Sequence, residues 1–145
     1  MTRLLAPLHE GTVLSMASAF RSDEYFVLFT NMIEKSTAIM DQEIWDSFMA
    51  DASAHLFYRA RVLSETDSLE HAVSQANHSP IIVGGPSLFQ EGIDGLADEM
   101  YLATFSKEGS YLAQFPEVSE AWELDNTKTY DNSDFPFVLE TYVKK

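Results

Sequence analysis

Residue types and order point to chemistry most clearly in Ile81-Ile82-Val83-Gly84-Gly85-Pro86-Ser87-Leu88-Phe89. A β-branched run that ends in two glycines and enters a helix leaves N–H groups converging on one point, and the helix dipole adds partial positive charge there. Such a turn suits a pyrophosphate, and glycine lets a flat ring or a phosphate touch the backbone. The same turn also serves simply to pack a strand closely on a helix, and the residues alone leave both readings open. It is not the Rossmann fingerprint. The third, spaced glycine is missing, the turn lies late in the chain, and no acidic ribose reader follows a second strand.

Other reactive residue types are sparse. The chain has no cysteine, which removes disulfides, thiolate metal sites and a cysteine nucleophile and fits a cytoplasmic setting. His9, His55, His71 and His78 are scattered without ligand spacing, so no metal site is expected. Asp41, Glu43 and Asp46 read as the solvated face of a short helix. Ser15 and Ser87 lack histidine and acid partners, and Ser87 reads as a helix-start residue. Met16, Met32, Met40 and Met49 read as gap-fillers in a core. A formal charge of −14, from 9 basic and 23 acidic side chains, disfavours nucleic acid and anionic membranes. A phosphate would have to be held locally against that field.

The elements that must position the turn alternate along the chain. At 145 residues and 46% hydrophobic content one domain spanning 1–145 is expected. Leu4–Leu8 reads as a first strand followed by an irregular loop, with Thr12–Met16 a second apolar segment. Asp23–Lys35 has helical spacing with Ser22 or Asp23 as cap. Thr37–Met40 is a strand, Gln42–Met49 a short helix with Trp45 and Phe48 inward, and Ala54–Tyr58 another strand. Thr66 or Asp67 caps a helix bearing Leu69, Ala72, Val73 and Ala76, with Asp67 and Glu70 as a capping box, and His78-Ser79-Pro80 ends it. Ile81–Val83 is a central strand, after which Leu88, Phe89 and Ile93 face the sheet. Glu99–Phe105 is a strand whose Tyr101 and Phe105 share one core face. Ala121–Thr127 and Phe135–Val143 form a hairpin around Asp131-Asn132-Ser133-Asp134. The sum is an α/β fold, a mainly parallel sheet flanked by helices with an antiparallel C-terminal hairpin. No stretch approaches the roughly 20 apolar residues of a membrane span, and the N-terminal apolar run is too short for a signal peptide.

Ile81–Phe89, with Asp98-Glu99-Met100-Tyr101-Leu102 and Phe115-Pro116-Glu117, resembles the C-terminal half of dihydrofolate reductases. The resemblance extends outward. Ala6–Ala19 aligns without gaps on that family's first strand and active-site loop, agreeing at Ala6, Leu8, Val13, Met16 and Ala19. Ala38-Ile39-Met40 with Trp45 is similar to its second strand and following helix, and Trp122-Glu123 to its late strand. Gly95–Glu99 is closer to the related reductase domain of riboflavin synthesis.

The resemblance implies NADPH beside Ala6, Gly84, Gly85, Pro86, Ser87 and Leu88, and a pteridine or related heterocycle near Phe29, Phe89 and Ala113 under the loop Ser15–Phe20. It also marks departures. Phe29 matches the family's inward phenylalanine, but the carboxylate four residues before it is Tyr25, so Tyr25, Glu24 and Asp23 are the candidate proton sources. The phosphate-binding Gly-Arg-x-Thr corresponds to Asp41-Gln42-Glu43-Ile44, the arginine that clamps the folate tail falls near Ser53, the loop tryptophan is replaced around Arg21-Ser22, and the carboxylate's threonine partner by Ala113. Arg21, Arg59 and Arg61 are candidate replacements at the phosphates. Three functions follow as expectations: a divergent NADPH-dependent reductase acting on a pteridine, a non-catalytic binding protein of the same fold, or an aminouracil reductase of the riboflavin-pathway type. The chain is expected to be a monomer or homodimer whose partner is a small molecule.

Overall fold

The computed structural model describes residues 1–50, 57 and 59–145. The chain runs β1 (Arg3–His9), β2 (Thr12–Leu14), α1 (Met16–Ala19), α2 (Asp23–Ile33), β3 (Ser36–Asp41), α3 (Gln42–Ala50), β4 (Ala60–Leu63), α4 (Leu69–Gln75), β5 (Ser79–Ile82) and α5 (Pro86–Glu91). A π-helical turn, Gly92–Leu96, leads to β6 (Glu99–Phe105), β7 (Tyr111–Gln114), β8 (Trp122–Tyr130) and β9 (Phe137–Lys144). The strands form one sheet in the order β4-β3-β5-β1-β6-β9-β8, with β2 on β1 and β7 on β2. The centre from β4 to β6 is parallel, while β9 and β8 close it antiparallel.

The central strands read as continuous apolar runs because helices cover both faces. Alternation divides each strand between two cores. Leu5, Met40, Ile81, Ala103 and Phe105 face α2 and α3, whereas Leu4, Ile39, Ile82, Met100 and Leu102 face α4, α5 and Ile93. Trp122 ties the hairpin to the second core through its indole N–H, which donates to the Ile93 carbonyl at 3.2 Å.

Several boundaries differ from the sequence expectation for identifiable reasons. The segment after β1 is a tight hairpin, not an irregular loop: Glu10 (φ 50°) and Gly11 (φ 78°) both take positive φ, and His9 pairs with Thr12. α4 is capped by Ser68, whose hydroxyl accepts from His71 N at 3.3 Å. Asp67 instead turns back to accept from Ser64 N at 2.8 Å, so there is no Asp67–Glu70 capping box. β5 starts at Ser79, ahead of the expected Ile81. Pro80 is tolerated there because β1 joins β5 only from Ile81 onward, leaving β3 alone beside the proline. The expected strand Ala54–Tyr58 lies outside the described residues apart from Phe57. The edge strand is Ala60–Leu63, which sequence reading did not anticipate, nor did it anticipate the mostly exposed β7.

Ser22, fully buried, caps α2 by accepting from Tyr25 N at 3.1 Å. Replacing it with alanine should lower stability by about 1–2 kcal/mol, and Ser68→Ala by about 1 kcal/mol, read from urea midpoints at unchanged m-value.

Candidate active site

β3 and β5 run parallel and stay paired to their ends. Val83 N donates to Ile39 O at 3.0 Å and Asp41 N donates to Gly84 O at 3.1 Å, so Asp41 is drawn alongside the double glycine. The Gly84–Gly85 peptide bond is cis. One Asp41 carboxylate oxygen accepts from Ile44 N at 2.9 Å and starts α3. The other lies where a side chain on Gly85 would begin, and a Cβ on Gly84 would come within 2.8 Å of Ile44 Cγ1. The two glycines are therefore needed to admit Asp41 and Ile44. Pro86 opens α5 with no side-chain cap.

Around this turn lie two cavities of opposite character. A groove of about 640 Å³ is lined by Asp41, Glu43, Asp46, Glu65, Asp67 and Glu91 together with Ser87 and Leu88, and among the described residues no lysine or arginine lines it. Arg61 stands at its margin, 4.0 Å from Asp67. On the other side Gly85, Pro86 and Phe89 meet Val13, Met16, Ile44, Val83 and Leu112 around a void of only about 10 Å³. Such a void holds one water at most, against the several hundred Å³ typical of a ligand pocket.

The expected proton sources do not converge. Tyr25 is fully buried among Phe20, Phe29, Phe105 and Phe137, with ring centroids 5.4–6.2 Å away, and its hydroxyl has no hydrogen-bond partner among the described residues. Burial pushes its phenol well above the ordinary value. Glu24 turns outward and accepts from Asn132 N at 3.0 Å, and Asp23 is exposed in the first turn of α2. The substrate-side residues are also separated. Phe29 belongs to the α2/α3 core, Phe89 to the opposite core beside Phe115, and Ala113 pairs with Val13 on β7. Ala6 is fully buried in the same core as Leu88 and Phe89.

Aromatic rings of the described residues crowd together beneath the loop Ser15–Phe20. Phe20 stands 5.2 Å from Phe29, 5.3 Å from Phe26 and 6.5 Å from Phe48, and Phe48 stacks edge-on to Phe57 at 4.7 Å. The loop is tied down by a set of contacts that sequence reading missed. Ser15 N donates to Ser110 O and Ser110 N donates to Ser18 Oγ, both at 2.8 Å. Arg21 donates to Glu108 O at 3.0 Å while its guanidinium lies 3.9 Å over the Phe135 ring. Gly109 makes this possible, since a Cβ there would meet Arg21 Nη2 at 2.6 Å. Arg21 thus fastens the loop. Arg59 donates to Glu34 O at 3.3 Å and sits just before β4, away from the double glycine.

No protein-family model matches the chain, and no curated protein does. Among solved structures it is similar to dihydrofolate reductase from Enterococcus faecalis complexed with NADP(H) and RAB-propyl. The TM-score is 0.80 and the identity 16%, over 100% of this chain and 96% of that one. The fold is dihydrofolate reductase-like. At that identity the likeness carries the architecture and not the chemistry.

The residues of this dihydrofolate reductase-like chain do not fit NADPH. A phosphate brought against the double glycine meets the Asp41 carboxylate first; two like charges 4 Å apart repel by about 4 kcal/mol at an effective dielectric of 20. The groove beyond adds five further carboxylates, and the void at Gly85 and Pro86 admits no ring.

Tyr25→Phe removes a buried hydroxyl that satisfies nothing and should raise stability by about 1 kcal/mol, whereas Tyr25→Asp should destabilise by several kcal/mol. The same residue sets an alkaline limb. The folded state keeps a proton that the unfolded chain loses near pH 10, so stability is unaffected below that pH. Above it, stability falls by up to about 1.4 kcal/mol per pH unit. Tyr101 and Tyr142, also raised by desolvation and by Glu99 and Glu140, should leave a weaker slope in Tyr25→Phe. Urea midpoints from pH 8 to 11 for both proteins read the difference.

Proposed function

We propose that this chain is a non-catalytic binding protein on a dihydrofolate reductase-like scaffold, with no transfer of hydride from NADPH to a pteridine. The observation that carries this reading is the occupation of the double-glycine turn by the chain's own Asp41 and Ile44. It is supported by the aromatic filling beneath Phe20 and by the absence, among the described residues, of an inward carboxylate on α2. Each alteration removes a different requirement of the reaction: anion recognition, ring stacking space and a proton source.

The test is direct. With millimolar NADPH and either dihydrofolate or an aminouracil substrate, the protein should show no cofactor oxidation, and the amides of Gly84 and Gly85 should not shift in NMR spectra. Turnover with either substrate would overturn the reading and identify which reductase this is. Asp41→Gly, Gln42→Arg and Ile44→Thr together should bring NADPH affinity from undetectable at millimolar concentration to a measurable value, at least tenfold tighter.

A further inference from the structure

The described residues hold a second ligand-sized groove, about 450 Å³, on the same sheet face as the acidic one but at the other end of β3 and β4. Its walls follow from strand alternation. Leu63 of β4 packs into the core with Ile39, Leu69 and Ala72, so Arg61, two residues earlier, projects from that same face. Arg59, just before β4, also lines the groove, with one amino nitrogen reaching the Glu34 carbonyl at the end of α2. Thr37 lies two residues before Ile39 and shares the face. Across the groove, α4 buries Ala72 and then ends, and its exit brings Asn77 and His78 to the rim. Among the described residues no acidic side chain lines the groove, although the chain has 23 Asp and Glu against 9 Lys and Arg.

Two guanidinium groups lining one groove suit two oxyanion centres, or one phosphate and a neighbouring polar group. Each arginine keeps donors for a ligand. Arg59 uses one amino nitrogen on the Glu34 carbonyl, and the Arg61 contact with Asp67 is a 4.0 Å solvent-exposed pair. Asn77 and Thr37 supply neutral hydrogen-bonding groups, and Ala72 and Ala76 an apolar floor.

We infer that this groove binds a small doubly charged oxyanion, a phosphate ester or a dicarboxylate, through Arg59 and Arg61. The inference rests on the binding-protein reading, yet its site is separate from the double-glycine turn, so the two stand or fall on different measurements.

The test is amide and arginine side-chain NMR of the full chain at low ionic strength, titrated with ribose 5-phosphate and with succinate to about 10 mM. Saturable shifts centred on Arg59, Arg61 and Asn77 with either probe support the site, and the stronger probe identifies the anion. Arg59→Gln and Arg61→Gln should each weaken binding roughly tenfold or more. Should those variants fail to fold, Asn77→Asp places a carboxylate on the exposed rim without touching the strand and should weaken binding several-fold. Absence of saturable shifts with both probes, shifts centred elsewhere, or affinity indifferent to all three substitutions would overturn the assignment. The outcome is independent of NADPH oxidation, which tests the reading on which the inference rests.

Discussion

The Asp41 carboxylate is the contact on which the geometry of the turn depends. Parallel pairing of β3 with β5 holds its backbone against Gly84, one side-chain oxygen starts α3, and the other lies against Gly85. Three elements therefore meet through one side chain. The arrangement explains how a glycine pair can persist without serving a phosphate. Ile44 and Asp41 need the room that a side chain at Gly84 or Gly85 would take, so the packing demand for glycine survives whatever happens to a ligand.

A second internal packing arrangement lies under the loop. A cleft that stacks a heterocycle must be lined by apolar rings and leave a gap between them. Here Phe20, Phe29, Phe48 and Phe57 pack on one another, at centroid distances of 4.7–6.5 Å. Tyr25 fits this logic at one cost. Its ring joins the cluster, but its hydroxyl is stranded, a polar group buried with no partner in a core that otherwise gains from aromatic packing.

Where burial on two faces dictated composition, the elements were legible in advance. β6 was read to the residue, and α2, α3 and the C-terminal hairpin to within a few residues, because long apolar patterns admit one periodicity. The double-glycine turn was found for the same reason. What escaped depended on side-chain geometry that no pattern encodes. β7 is too short and exposed to show alternation, the Glu10-Gly11 hairpin hinges on a non-glycine residue at positive φ, and Ser68 displaced two neighbours that are equally good caps. At the candidate site, the mismatch of Asp41-Gln42-Glu43-Ile44 with a phosphate loop was visible in residue types. That Asp41 reaches across to Gly85, and that Arg21 is spent on Glu108 and Phe135, depends on which strand ends meet in space.

Charge placement also becomes interpretable only with the fold. A net −14 suggests a uniformly acidic surface, yet the sheet face over β3 and β4 carries six carboxylates around one end and two arginines at the other. Parallel pairing in the register Ala38 to Ala60 and Asp41 to Leu63 produces this division, since residues at the starts and ends of both strands gather at opposite poles. The two ends meet where Arg61 stands 4.0 Å from Asp67, well inside the screening length of about 8 Å at physiological ionic strength. An anion approaching the arginine end meets two guanidinium groups, whereas at the glycine end six carboxylates oppose it and Arg61 stands only at the margin. The fold offers an anion a place, but at the other end of these two strands from the turn whose sequence advertises one.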